Sequence, residues 1–339
     1  FDNMFGALTI NGDRVFAGAN LENIESDIIF NQSKLFFNTS ALINSELKLA
    51  TDGNLSMSPQ GQQITMNTLI LNYKNVNWSN QNPIELVYGL DSLRLKNFIL
   101  HHKNASVNFD GYLLNNGEQN INLRVNELPF SVLNKYVTGT SGNLNASINM
   151  KTSINGTFTD PKIRTDLDIN DMALGNIKYG SFISDLKYAD QNLTSDIKFV
   201  KDTSDITNPK LAIQGNIPIN LSFTSVSERL PKGKSVDIAL RSKNFNLQSF
   251  GSVFPFVKNQ KGELAAEIRV NGDFDNLNYD GFMNINNGFF TVRPTNMDYK
   301  FGTKVNLNKE RFSIDSLVVE NTQNAKYPGT LWGGGFVEL

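Results

Sequence analysis

Three short groups of residues resemble sites at which proteins do chemistry, and the first is Gly233-Lys234-Ser235. A glycine followed by lysine and a hydroxyl residue ends the phosphate-binding loop of many nucleotide-binding proteins. The residue five positions before Gly233 is Glu228, however, and no glycine-rich turn precedes it. We therefore interpret this stretch as a solvated turn.

The second group consists of two alternate aspartates, Asp166 and Asp168, followed by Asn170. This spacing begins a calcium-binding EF-hand loop, but Asp171 occupies the position of the required glycine and Ile177 that of the bidentate glutamate. The alternation of polar and apolar residues instead predicts a β-strand whose carboxylates point outward.

The third group is His101-His102, which could suggest a metal site. Adjacent residues of a strand point to opposite faces, so these two side chains cannot readily share an ion. The chain has no other histidine and no cysteine, which excludes thiolate chemistry, disulfides and most zinc sites. It also lacks the H-E-x-x-H and G-x-S-x-G motifs. We predict that the protein is not an enzyme and holds no metal or cofactor.

The charge balance argues against two classes of partner. The formal net charge is −2 and the pI is about 5.8, with no run of lysine or arginine. Nucleic acid and anionic bilayer surfaces are therefore disfavoured as partners.

No apolar run approaches the roughly 18 to 20 residues of a membrane helix. The missing initiator Met and the strand-like residues 329–339 lead us to expect a piece of a longer chain.

Apolar and polar residues alternate with a period of two, as in Leu264, Ala266, Ile268 and Val270. This period predicts β-strands with one apolar face and one polar, solvent-exposed face. Glycine after Asn or Asp supplies the positive φ angles of tight hairpin loops, so we expect antiparallel strands that are neighbours in sequence. We expect such loops or turns at Asn11-Gly12, Asp52-Gly53, Gln60-Gly61, Asp110-Gly111, Asn155-Gly156, Asn271-Gly272, Asp280-Gly281 and Asn287-Gly288.

The same order of signals occurs twice, about 116 residues apart. Asn155-Gly156 and Phe158 align with Asn271-Gly272 and Phe274. Repetition of this kind indicates an architecture that grows by stacking units. Each copy follows a segment with roughly helical spacing, namely Leu128, Val132 and Tyr136 in the first copy and Leu247, Phe250 and Phe254 in the second.

The chain is predicted to have four segments. Residues 1–126 form a β-meander, residues 127–200 the first repeat unit, residues 201–244 edge strands and loops that contain prolines, and residues 245–339 the second repeat unit with a truncated tail. Prolines are tolerated at edges because the lost ladder donor faces solvent there. No helical pattern is long enough for a βαβ crossover, which argues against a parallel doubly wound fold.

The order of LPFSVLNKYV, SGNLNASINM and INGTFTDPKIRTDLDINDMAL resembles the C-terminal region of the TamB family, within the wider AsmA-like group. The family pattern is a Gly-apolar strand, a turn, a hydrophilic pair and a second strand. It is carried here by Gly156 with Asp160-Pro161, and by Gly272 with Asp275-Asn276-Leu277. The tail GTKVNLNKERFSIDSLVVEN resembles the closing hairpin of the family, and the likeness extends from about residue 70 onward.

The resemblance implies an all-β fold: an elongated, mainly antiparallel β-taco with short helical segments, whose curled sheet encloses an apolar groove. It also implies a location in the periplasm of a diderm bacterium, with an inner-membrane anchor missing from this chain. The implied activities are conduction of phospholipid between the two membranes and, as an alternative, assistance to outer-membrane protein assembly. The implied partners are phospholipid and an Omp85-type outer-membrane barrel that is TamA-like. A second hypothesis of a different class is a scaffold that docks such a barrel through exposed strand edges by β-augmentation.

Apolar residues on one face of the predicted strands are the candidates to line the groove. On the residues alone, a dry β-sandwich or solenoid core, such as that of a surface adhesin, is the favoured interpretation, whereas the resemblance favours an open groove that holds lipid. The candidates are Ile121, Leu123, Val125, Leu144, Ile148, Met150, Leu167, Ile169, Val236, Ile238, Leu240, Leu264, Ile268, Val270, Met283, Ile285, Val305 and Leu307.

Overall fold

A computed structural model describes most of the chain, and its described residues form 21 β-strands and three short 3-10 helices. The chain divides into two compact units, Phe1–Leu128 with Asn149–Ile163, and Pro129–Ile148 with Arg164–Leu339. The described residues are 5–16, 18–59, 61–73, 76–115, 117–132, 144–174, 177–250, 256–321 and 328–338.

The first ten strands lie in the first unit, apart from the last residue of β10. Their bounds are β1 Phe5–Phe16, β2 Asn20–Asn31, β3 Lys34–Ile43, β4 Leu47–Ser58, β5 Gly61–Tyr73, β6 Val76–Asn80, β7 Ile84–Gly89, β8 Ser92–His102, β9 Ala105–Leu114 and β10 Gln119–Pro129. Two further strands, β11 Leu144–Gly156 and β12 Pro161–Leu174, are divided between the units.

The remaining nine strands lie in the second unit. Their bounds are β13 Ile177–Ala189, β14 Asn192–Val200, β15 Leu211–Pro218, β16 Ser235–Asn246, β17 Val257–Asp273, β18 Asn276–Val292, β19 Met297–Asn308, β20 Arg311–Asn321 and β21 Thr330–Glu338. The 3-10 helices are Phe130–Val132, Thr203–Asp205 and Leu247–Phe250.

Strands pair with their neighbours in sequence, and every pairing with a described register is antiparallel. In the first unit β1 to β5 pair in order, β5 and β8 both pair with the short strands β6 and β7, and β8 to β10 continue in order. In the second unit β13 to β21 pair in order. The predicted all-β, mainly antiparallel fold class is confirmed.

Two glycines occupy equivalent places in the two copies of the repeated pattern. Gly156 ends β11 with φ 85°, and Gly272 stands next to the end of β17 with φ 116°. A Cβ atom would lie 2.4 Å from the Asp160 carbonyl oxygen at the first and 2.3 Å from the Asn276 carbonyl oxygen at the second. Both turns therefore require glycine, for its left-handed backbone and for the close approach of the next strand.

Several Asn-Gly and Asp-Gly pairs lie inside strands, so the prediction that they form hairpin loops is wrong. Asp280-Gly281 and Asn287-Gly288 both belong to β18, as Asn11-Gly12 belongs to β1, Asp52-Gly53 to β4 and Asp110-Gly111 to β9. Gly111, Gly281 and Asn287 have a positive φ inside their strands, whereas no residue of Asn11-Gly12 or Asp52-Gly53 does, so such a dipeptide does not by itself establish a hairpin loop.

Left-handed asparagines mark the bulges. Each lies at a shift of register between two strands, where an extra residue is inserted on one strand and bends it. Asparagine adopts this conformation more readily than other residues with a Cβ, which accounts for part of its abundance in the chain. These residues are Asn23, Asn97, Asn244, Asn259 and Asn287, with φ between 51° and 58°.

The two predicted helix-like segments begin as 3-10 turns at residues 130–132 and 247–250, and their remainders, with Tyr136 and Phe254, lie outside the described residues. Residues 201–210 and 219–234 lie outside the strands, as the prolines suggested. The strand β15 between them pairs on both sides, so it is not an edge strand. Its Pro218 stands at the last position, where a missing ladder donor has the smallest effect.

Candidate functional site

Apolar side chains of the second unit lie in register across consecutive strands. Directly opposed residues of an antiparallel pair share a face, so a chain of opposed residues traces one row across the sheet. One such row runs from β14 to β20 through Ile197, Ile213, Leu240, Ile268, Gly281, Leu307 and Phe312. A second row, from β13 to β20, contains Phe182, Phe199, Leu211, Ser242, Ala266, Met283, Val305 and Ile314.

The first unit has a comparable row on its own strands. It connects with a buried cluster formed by Leu69, Ile84 and Leu100, against which Leu95 and Phe98 pack. The row runs through Leu35, Leu55, Ile64, Leu86, Leu95, Gly111 and Ile121. We call the side of each unit that carries these rows its apolar face.

The candidate residues differ in burial. Val125, Ile148, Val236 and Val305 are buried, with exposed fractions of 4–6%. The others are half-buried, and none is exposed; they are Ile121, Leu123, Leu144, Met150, Leu167, Ile169, Ile238, Leu240, Leu264, Ile268, Val270, Met283, Ile285 and Leu307. Most of this apolar set thus keeps part of its surface accessible.

Register brings most of the candidates together. Ile238 opposes Val270, Leu264 opposes Ile285 and Met283 opposes Val305 in the second unit. In the first unit Leu123 and Val125 oppose Phe109 and Val107. The five candidates on β11 and β12, two strands divided between the units, are placed only by their position along the strand.

The opposite side of the second unit is charged. Arg269 contacts Asp237 at 2.9 Å and Arg241 contacts Glu267 at 3.3 Å, in each case across β16 and β17. The hydrogen bonds that Arg269 donates hold the pKa of Asp237 below its usual value and raise the pKa of Arg269 itself. We call this side the polar face, since its charged groups remain solvated.

Comparison with known protein families shows which family the chain belongs to. The family model described as "TamB, N-terminal domain" matches residues 34–285. The chain belongs to the TamB family. The matched domain is the N-terminal one, whereas the motifs had suggested the C-terminal region, because a repeated hairpin unit does not fix its own position along a long chain. No curated protein and no solved structure matches this chain.

Membership of the TamB family places the protein in the bacterial cell envelope and in a group with structural and transport roles. Within the described ranges, no helix has both the length and the apolar character needed to cross a membrane.

Two of the three groups that resemble chemical sites make contacts of other kinds in the described part of this TamB-family chain. His102 Nδ1 lies 2.8 Å from the Asn77 carbonyl oxygen, and its ring packs 5.7 Å from that of Trp78. Burial, followed by the charge of Asp166, raises the pKa of Asp168. No group of three or more acidic or histidine side chains within the described ranges is placed to hold a metal ion.

The loop 219–234 contacts the apolar face, which the sequence did not indicate. Tyr188 belongs to that face, since it opposes Leu193 and lies on alternate positions with Ser184 and Leu186. Its side chain is 3% exposed, and its hydroxyl accepts a hydrogen bond of 2.8 Å from the Leu221 amide. The loop therefore covers one end of the apolar face of the second unit.

Proposed function

We propose that the protein conducts phospholipid through the periplasm by shielding acyl chains against its apolar face. The observation that carries the proposal is the combination of register and burial: apolar side chains are aligned across many strands, and most are only half-buried. A dry packed core would bury such residues almost completely. Partly exposed apolar surface on this scale is typical of a site that shelters an apolar ligand.

The mechanism follows from the physics of apolar contact. Each methylene removed from water contributes about 0.8 kcal/mol, and this contribution has no directional requirement. An acyl chain is therefore held strongly in total but can slide, since each new contact resembles the one it replaces. Adjacent strands are about 4.8 Å apart, so consecutive strands supply a row of closely spaced contacts.

In this proposal the lipid moves from the inner membrane to the outer membrane. The full-length protein is anchored in the inner membrane and delivers lipid toward an Omp85-type, TamA-like barrel in the outer membrane. The family match supports this arrangement at the level of a cell-envelope protein. The charged polar face supports it as well, because a surface of this kind remains in aqueous solution.

A charge placed on the apolar face tests the proposal. Ile285→Lys adds an ammonium group to a half-buried position beside Leu264, where an acyl chain must pass. Desolvating that charge is costly, so we expect lipid transport in a cell-based envelope assay to fall severalfold or more. Ile285→Thr serves as a smaller, uncharged, β-branched variant and is expected to retain most of the transport.

The adjacent position supplies a matched control. Asn286 is exposed and opposes Glu263 on the polar face, so Asn286→Lys adds the same charge without entering the lipid path. Parental transport by Asn286→Lys, with comparable thermal unfolding of all variants, is the expected result. Equal transport by Ile285→Lys and the parent would exclude the apolar face as the lipid path.

One observation favours the second candidate function, a scaffold that assists outer-membrane protein assembly. Among the described residues, β21 pairs with β20 along most of its length. Its Leu331, Trp332, Phe336 and Val337 are 59–73% exposed. A strand with exposed apolar side chains on both faces fits contact with a strand from a partner barrel.

A further inference from the structure

The polar face of the first unit carries a basic strip that the lipid proposal does not use. It comprises the cations Arg94 and Lys96 on β8, Arg124 on β10 and Lys151 on β11, together with Asn108, Asp110, Tyr112 and Asn122. Two adjoining depressions of about 450 and 260 Å³ contain these residues and share Asn108 and Asp110. The strip is thus continuous across four strands.

Register places the strip on the face opposite the apolar row. Arg124 opposes Asn108 and Asn122 opposes Asp110, whereas the intervening Leu123 opposes Phe109 on the apolar face. The strip therefore does not compete with an acyl chain, and its role is independent of the proposed function.

The four cations have no carboxylate partner among the described residues. Elsewhere on the polar face, arginines form ion pairs, as Arg269 does with Asp237. Lys96 opposes Glu85 across β7 and β8, but no ion pair joins them. Arg94 lies 5.7 Å from the centre of the Tyr112 ring, a contact that leaves its N–H groups available. Four such cations on neighbouring strands make this part of the polar face locally positive although the net charge is −2, which favours an anionic ligand.

The carboxylate and amide side chains of the strip limit which kinds of anionic ligand could bind there. Asp110 accepts a hydrogen bond of 3.4 Å from Asn122, whose amide also donates to Asn120 at 2.9 Å. A carboxylate repels phosphates and carboxylates alike, but it accepts hydrogen bonds from hydroxyl groups, so it favours a ligand that presents hydroxyls beside its anionic groups. Amide side chains likewise supply acceptors as well as donors. The ligand that satisfies cations, amides and a carboxylate together carries both anionic groups and hydroxyls.

A membrane surface fits the strip less well. Three apolar residues also line the depressions, Leu95, Ile99 and Leu123, but they are half-buried, so no large exposed apolar side chain of the strip would insert between lipids. From the charge complementarity and the mixture of donors and acceptors, we propose that the basic strip binds an acidic glycan, a sugar chain that bears carboxylates and free hydroxyls. Such a contact would hold the protein to a polysaccharide of the envelope by its polar face.

Calorimetric titration of the full chain with short oligogalacturonates tests the proposal, with neutral dextran as the uncharged comparison. We expect binding of the oligogalacturonates and none of dextran. The double variant Arg124→Gln with Lys151→Gln should weaken binding about tenfold or more, since it removes two charge-assisted contacts. The matched control, Arg241→Gln with Lys304→Gln, removes the same charge from the second unit and should bind like the parent.

Asp110→Ala separates recognition of a glycan from simple attraction of anions. The variant loses an acceptor for hydroxyls and also a repulsive charge, so it should bind oligogalacturonates severalfold more weakly and inorganic pyrophosphate more tightly. The proposal is overturned by absent oligogalacturonate binding, by equal loss in the control variant, or by tighter oligogalacturonate binding in Asp110→Ala. Equal binding of phosphatidylglycerol vesicles, lost in the strip variant, would assign the strip to membranes instead.

Discussion

At the scale of single residues, glycines inside strands have a more specific role than turn formation. Gly281 has φ 138°, and a Cβ there would lie 2.0 Å from the Glu267 carbonyl oxygen. The glycine allows β17 and β18 to approach closely, beside Ile268 on the apolar face. The dipeptide Asp280-Gly281 predicted a positive φ correctly but not its place, because the close approach of β17 inside the sheet, and not a hairpin loop, requires the glycine.

Gly281→Ala is therefore expected to destabilise the second unit by about 1–3 kcal/mol through backbone strain and a clash with main-chain atoms. Gly302→Ala is the matched control, because its nearest contact would be the Ile285 carbonyl oxygen at 3.5 Å, an ordinary distance. Thermal unfolding followed by circular dichroism should show a lower midpoint for the first variant only. Equal midpoints for the two variants would contradict the assigned role of Gly281.

At the scale of elements, the period of two predicted the strands and their apolar sides well, because alternation is a local property of the sequence. The bulges at Asn244 and Asn287 were not predicted, since a register shift depends on two strands at once. The contact of Tyr188 with Leu221 joins residues 33 positions apart, and no local pattern encodes it. The prolines predicted loops correctly but suggested an edge at β15, where Pro218 is instead accommodated at the end of a paired strand.

The edge of β21 gives a prediction at the same scale. Gly334→Pro removes a main-chain donor and fixes φ in the middle of β21, so it should prevent a partner strand from pairing with β21. If docking to a barrel is the primary role, assembly of outer-membrane proteins in cells should fail while the lipid-path variant Ile285→Lys assembles them normally. Ser227→Pro, in the loop 219–234, is the control for introducing proline. Normal assembly with Gly334→Pro would remove the edge from consideration as the docking site.

At the scale of the whole molecule, both units separate an apolar face from a polar one, and the two faces have different proposed ligands. The family match, over residues 34–285, supports a role in the cell envelope. The sequence already showed that cysteine is absent and that His101 and His102 lie on opposite faces of a strand. It also showed the apolar side of each strand. The sequence could not decide between a filled core and a lipid path, because that choice depends on how much of each side chain remains exposed after the strands have paired.

Mass spectrometry of the lipids that co-purify with the chain tests the central proposal most directly. The preparation is washed and compared with an unrelated β-sheet protein purified in parallel from the same cells. Phospholipid retained in a defined ratio to protein, and reduced in Ile285→Lys but not in Asn286→Lys, is the predicted result. Lipid at the level of the unrelated protein, with no difference between the two variants, would contradict the proposal that the apolar face carries acyl chains.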